Sequence, residues 1–81
     1  MSKSDKQFEA MRNNPRDWRI EVLVSIAVRF GIEVRNHGGS HYVFSSSGLD
    51  LAVTVPAHRP IKAVYIRQFV SLVEQVKGKQ S

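Results

Sequence analysis

The chain has 81 residues, a net charge of +5 from 12 lysines and arginines against 7 acidic side chains, and no cysteine. That length holds one domain with one core, and the absence of thiols excludes disulfide staples, a thiolate zinc site and a cysteine nucleophile. The positive balance favours a polyanionic partner, and nucleic acid is the commonest one for a small basic domain.

Residues 1–14 are polar and lack the apolar run of a signal peptide. The most apolar stretch, Asp17 to Phe30, is interrupted by Asp17, Arg19, Glu21 and Arg29, well short of the about 18 residues a span needs. A soluble, cytoplasmic protein with no membrane partner is expected. Ser4 to Asn13 reads as a short helix, with Ser4 as its cap, Asp5 in its first turn and one small apolar contact from Phe8 and Met11. Asn14-Pro15 pairs a good N-cap with a residue preset for the first helical position, so a second helix is expected from there to Phe30, with Gly31 as a left-handed stop. Ile20, Leu23, Ala27 and Phe30 share one stripe of it, and Trp18, Val22 and Ile26 an adjoining one.

Ile32 to His37 reads as a strand with Ile32 and Val34 inward and Glu33, Arg35 and His37 outward. Gly38-Gly39 signals a two-residue hairpin, since both residues tolerate positive φ. His41 to Ser45 returns, and Leu51 to Val55 is a third strand with Leu51, Val53 and Val55 on its buried side, ended by Pro56. After a loop over Ala57 to Pro60, a last helix covers Ile61 to Val76 before Gly78, with Ile66, Phe69, Val73 and Val76 along its inner face. The order α-α-β-β-β-α predicts an α+β domain: a three-stranded antiparallel sheet with helices packed on one face and the other face uncovered. A single domain spans 1–81, with 1–14 as a helical extension and 77–81 as a flexible tail.

Burying Tyr42 and Phe44 sends His41 to the opposite face, because side chains alternate along a strand. A histidine held there meets solvent, and an imidazole, with an ordinary pKa near 6.5, is the side chain best suited to exchange protons at neutral pH. Gly39 and the Ser40 hydroxyl let a phosphate approach the main chain, and Arg35, Arg59, Lys62 and Arg67 flank the same face and the loop leading from it, Arg35 and Lys62 foremost. His58, in the loop before the last helix, is a possible second proton carrier, with His37 as a weaker one. Trp18 and Phe44 read as core residues and not as platforms for stacked bases. No two histidines stand at i, i+4 on a helix, and Glu33 and Asp50 are not obviously convergent with them, so no metal or cofactor is expected. No nucleophile elbow surrounds Ser40.

The run Arg35 to Phe44 with its Gly39-Ser40-His41, then Thr54-Val55-Pro56-Ala57-His58 and Tyr65-Ile66-Arg67-Gln68, resembles the HicA toxins of bacterial HicA/HicB toxin–antitoxin modules. The resemblance covers roughly Asp17 to Val76. It implies a double-stranded-RNA-binding-domain-like fold and a ribosome-independent endoribonuclease that cleaves mRNA, with His41 as the catalytic residue. It also implies a HicB-like antitoxin that masks the site, and contact with DNA only through that antitoxin. The helix before Pro15 and the polar turn over Ser45 to Asp50 depart from the family's pattern. Beside this stand two other classes, a non-catalytic RNA-binding module and a protein-interaction domain that uses the open sheet face or edge.

Overall fold

The computed structural model describes residues 3–36, 38–48, 50–58 and 60–80, without the side chains of Ser4, Lys79 and Gln80. His37 and Arg59, both singled out above, lie outside the described residues. In chain order the elements are α1 (Lys3–Asn13), α2 (Ile20–Arg29), β1 (Glu33–Arg35), β2 (His41–Ser45), β3 (Ala52–Pro56) and α3 (Ala63–Gln80).

The helix α1 contributes far more than a small contact. Phe8 and Met11 are fully buried, and the Phe8 ring meets Phe30 of the α2 C-cap edge-to-face at 6.0 Å. Arg29 also reaches back to Asp5 at 3.5 Å. Helix α1 therefore packs into the core layer through Phe8 and Met11 and is not an appendage.

The second helix begins later than Asn14-Pro15 suggests. The amide of Asn14 donates to Ala10 O at 2.9 Å, so Asn14 closes α1 and does not cap α2, while its carbonyl accepts the Trp18 indole N–H at 2.6 Å. Asp17 then takes a left-handed φ of 64°, which a helix of L-residues cannot continue through. The helix starts at Ile20 behind Arg19, an N-cap with no side-chain hydrogen bond. Its other end is as expected. Gly31 has φ 74°, its amide donates to Val28 O at 3.2 Å, and the Ile32 amide donates to Ala27 O at 2.8 Å. This is the Schellman stop, with buried Ile32 beside buried Ala27 as its apolar partner.

The sheet is antiparallel in the order β1-β2-β3. A two-residue turn at Gly38-Gly39 places Arg35 opposite Tyr42, but the observed partners are Arg35 with Val43, Val34 with Phe44 and Glu33 with Ser45. The reason is the period of two. Only this register, one residue away, sets inward Val34 against inward Phe44. β1 is accordingly short, and Val34 is its one inward residue. In β3 the inward residues are Val53 and Val55, while Leu51 precedes the strand and is exposed, contrary to its expected burial. Pro56 remains in register opposite His41 at the edge of the sheet, where its missing N–H costs no ladder bond.

Helix α3 runs through Gly78 to Gln80 and buries Val70 and Leu72 in addition to the expected Ile66, Phe69, Val73 and Val76. Its wide apolar face serves two neighbours. Phe69 packs edge-to-face on Phe44 of the sheet at 5.0 Å, and the Lys77 ammonium lies over the rings of Phe8 and Phe30 at 5.1 and 5.6 Å. These contacts hold the last turns despite the roughly 1 kcal/mol that a helical glycine costs. The result is an α+β arrangement whose described buried side chains are all apolar and lie on one side of the sheet. Among the described residues no helix is long and apolar enough to cross a membrane.

Candidate functional site

The sheet's other face carries no helix. It presents Glu33 and Arg35 from β1, His41, Val43 and Ser45 from β2, and Ala52, Thr54 and Pro56 from β3. His41 is exposed at the start of β2, as its alternation with Tyr42 and buried Phe44 requires. Across the ladder it faces Pro56, and Arg35 is its diagonal neighbour because Arg35 faces Val43. Such diagonal pairs lie about 7–8 Å apart, within reach of an arginine side chain. Arg35 shares an ion pair with exposed Glu33, which lowers the charge it offers to a phosphate but engages only Nε.

Asn36, which carries no obvious functional signal in the sequence, organises the approach to His41. Its carboxamide accepts from the Gly38 amide at 2.9 Å and donates to Gly39 O at 3.0 Å and His41 O at 3.1 Å. Asn-x-Gly is the pattern for such a turn, in which a side chain takes over bonds that a strand would otherwise use. Asn36 thus trades ladder pairing beyond Arg35 for a closed loop. Gly38 sits there with φ 85°, whereas Gly39 has no left-handed φ. The Gly38 amide is consumed internally, so the main-chain donors left to a bound anion are those of Gly39 and Ser40, whose amides have no acceptor among the described residues.

A second tie brings the far loop to the same place. The Ala57 amide donates to Ser40 O at 2.6 Å, anchoring the segment after β3 beside the residue before His41. From there an open hollow of about 200 Å³ is lined by Pro56, His58, Pro60, Ile61, Lys62 and Tyr65. His58 and Lys62 are exposed and share this hollow, whose first wall is the cross-strand partner of His41. The structure therefore sets Gly39, Ser40, His41 and its diagonal neighbour Arg35 at one end of the sheet, and puts His58 and Lys62 in a hollow that begins at Pro56, the residue opposite His41. Phe44 lies in the core, as expected, but Trp18 is only half-buried. Tyr65, in the first turn of α3 and within the Tyr65-Ile66-Arg67-Gln68 run, joins Lys62 in that hollow, although the residues alone suggest no role for it.

The imidazole of His41 has no hydrogen-bond partner among the described residues. No group of three or more histidine, aspartate or glutamate side chains converges among them either. Compared with protein-family models, curated proteins and solved structures, the chain finds no match.

Proposed function

We propose that this chain is a HicA-like toxin, a metal-independent and ribosome-independent endoribonuclease that cleaves mRNA, on a double-stranded-RNA-binding-domain-like fold. The observation that carries the reading is His41 exposed on the helix-free face next to a glycine-serine loop, opposite Pro56, which opens the hollow bearing His58 and Lys62. The 2′-hydroxyl is the nucleophile. Its oxygen forms a bond to phosphorus, the bond from phosphorus to the 5′-oxygen breaks, and the products are a 2′,3′-cyclic phosphate and a 5′-hydroxyl.

His41 takes the proton from the 2′-hydroxyl or gives one to the leaving oxygen, a transfer typically worth about 10²- to 10⁴-fold. His58 is the candidate for the other transfer. Lys62 or Arg35, with the amides of Gly39 and Ser40, stabilises the charge that grows on the phosphorane. The substrate is single-stranded, because an A-form duplex holds the 2′-hydroxyl out of line with the leaving oxygen. A HicB-like antitoxin covering this corner belongs to the same reading.

Expression of the protein alone arrests growth and shortens mRNA, and His41→Ala relieves both. EDTA leaves cleavage by the purified protein unchanged. Undiminished cutting by His41→Ala removes the imidazole from the mechanism. A second reading, RNA binding without cleavage, is favoured by the lack of a partner that would orient the His41 ring. Salt-dependent binding with no cyclic phosphate product decides for it.

A further inference from the structure

Three concave patches meet at Pro60. The first is the hollow that begins at Pro56, the cross-strand partner of His41. A second, of about 320 Å³, is lined by Arg16, Asp17, Pro60, Ile61, Lys62 and Ala63, and a third, of about 420 Å³, by Asp17, Trp18, Arg19 and Pro60. Sharing Pro60, they outline a shallow path that starts at Pro56, the residue opposite His41, passes Lys62 and ends against the half-buried indole of Trp18.

Among the described residues the cations along this path are free, as are Lys3, Lys6 and Arg67, but only here do they alternate with aromatic side chains, in the hollows around Pro60. Arg12, Arg29 and Arg35 each have a carboxylate partner, and Lys77 lies over two aromatic rings. Arg16, Arg19 and Lys62 are exposed and have no ion-pair partner among the described residues, and Asp17 is the one acidic side chain lining the three patches. Two aromatic side chains, Trp18 and Tyr65, are interleaved with these cations. Unpaired cations at intervals, with aromatic faces between them, are what a single strand requires, since phosphates take the charge and bases stack on the rings.

We infer, resting on the ribonuclease reading above, that the Pro60-centred path is a binding track for single-stranded RNA flanking the bond to be cut, with Arg16, Arg19 and Lys62 on phosphates and Trp18 and Tyr65 against bases. It extends the nucleic-acid surface from the sheet to the segment joining α1 and α2. That segment is shaped for exposure and not for helix: the left-handed Asp17 interrupts the chain between Arg16 and Arg19, and the Trp18 N–H is tied to Asn14 O.

The test uses the full chain carrying His41→Ala, so that RNA stays whole, and an oligouridine about 12 nucleotides long, inside the range of roughly 4–16 that single-strand-binding folds cover. Trp18 is the sole tryptophan, so its emission reports binding directly. Arg16→Ala with Arg19→Ala lowers affinity at least about 10-fold, and the slope of log K against log salt falls by about 1.4, or about 0.7 for each phosphate that is no longer neutralised. Lys3→Ala with Lys6→Ala removes equal charge from the exposed side of α1 and changes affinity less than about threefold. Equal losses from the two pairs, or binding that leaves Trp18 emission unmoved, overturns the track. Equally tight binding of polyglutamate, which has charge but no bases, also overturns it. Because binding is read without cleavage, the track stands or falls separately from the catalytic role of His41.

Discussion

The two sides of the sheet are held together by different physics. Behind it, α1, α2 and α3 bury a continuous apolar cluster from Phe8 to Val76, and every described residue of that cluster is hydrocarbon or aromatic save the thioether of Met11. In front, the His41 corner is shaped by polar ties that cross short distances: the Asn36 carboxamide on Gly38, Gly39 and His41, and the Ala57 amide on Ser40. Burial on one side supplies most of the stability, while the other side is left open, with the His41 ring uncommitted among the described residues. Substitutions should therefore separate cleanly into those that unfold the chain and those that only change what it binds or cuts.

The largest effect expected is at Phe8. Phe8→Ala empties a site that is 1 % exposed and should cost about 3–5 kcal/mol in urea unfolding, a large part of the roughly 5–15 kcal/mol that domains possess. A loss below about 1 kcal/mol would make α1 an appendage after all, since surface changes fall in that range. Next come the two loop glycines, which sharpen the contrast within the site itself. Gly38→Ala forces a left-handed φ on an L-residue and should cost about 1–2 kcal/mol. Gly39→Ala has open space and no such φ, so it should be neutral within about 0.5 kcal/mol by the same unfolding measurement. One small effect is a gain. Gly78 is helical with nothing near its missing Cβ, and Gly78→Ala should raise stability by about 0.5–1 kcal/mol, visible as a higher melting temperature.

The same contrast decides what can be read from the residues alone. Alternation in Tyr42-Val43-Phe44 and in Val53-Thr54-Val55 is enough to assign faces and to put His41 on the open side, because a period of two leaves no other choice. Gly31 declares the end of α2 through its left-handed freedom. What stays hidden depends on competition between distant groups. Asn14 carries a sound capping signal, but α1 and the Trp18 indole claim its amide and carbonyl first. Gly38-Gly39 does mark the β1–β2 hairpin, but pairing of Val34 with Phe44 and capture of the turn by Asn36 overrule its two-residue register. Gly78 looks like a stop, but Val76 is buried and Lys77 is held by rings from other elements. At the candidate site the histidines, Lys62 and the glycine-serine turn are visible as residue types. The convergence of His58 and Lys62 beside Pro56 is not, since it rests on the tie from Ala57 to Ser40.

The most direct test of the central claim is the rate of RNA cleavage by purified His41→Ala, measured on the same preparation as its urea midpoint. An exposed side chain on the helix-free face predicts unfolding free energy unchanged within about 0.5 kcal/mol, together with a rate at least about 100-fold lower. A rate that does not fall, or one that falls only in step with lost stability, would contradict the separation of a buried scaffold from an exposed catalytic imidazole.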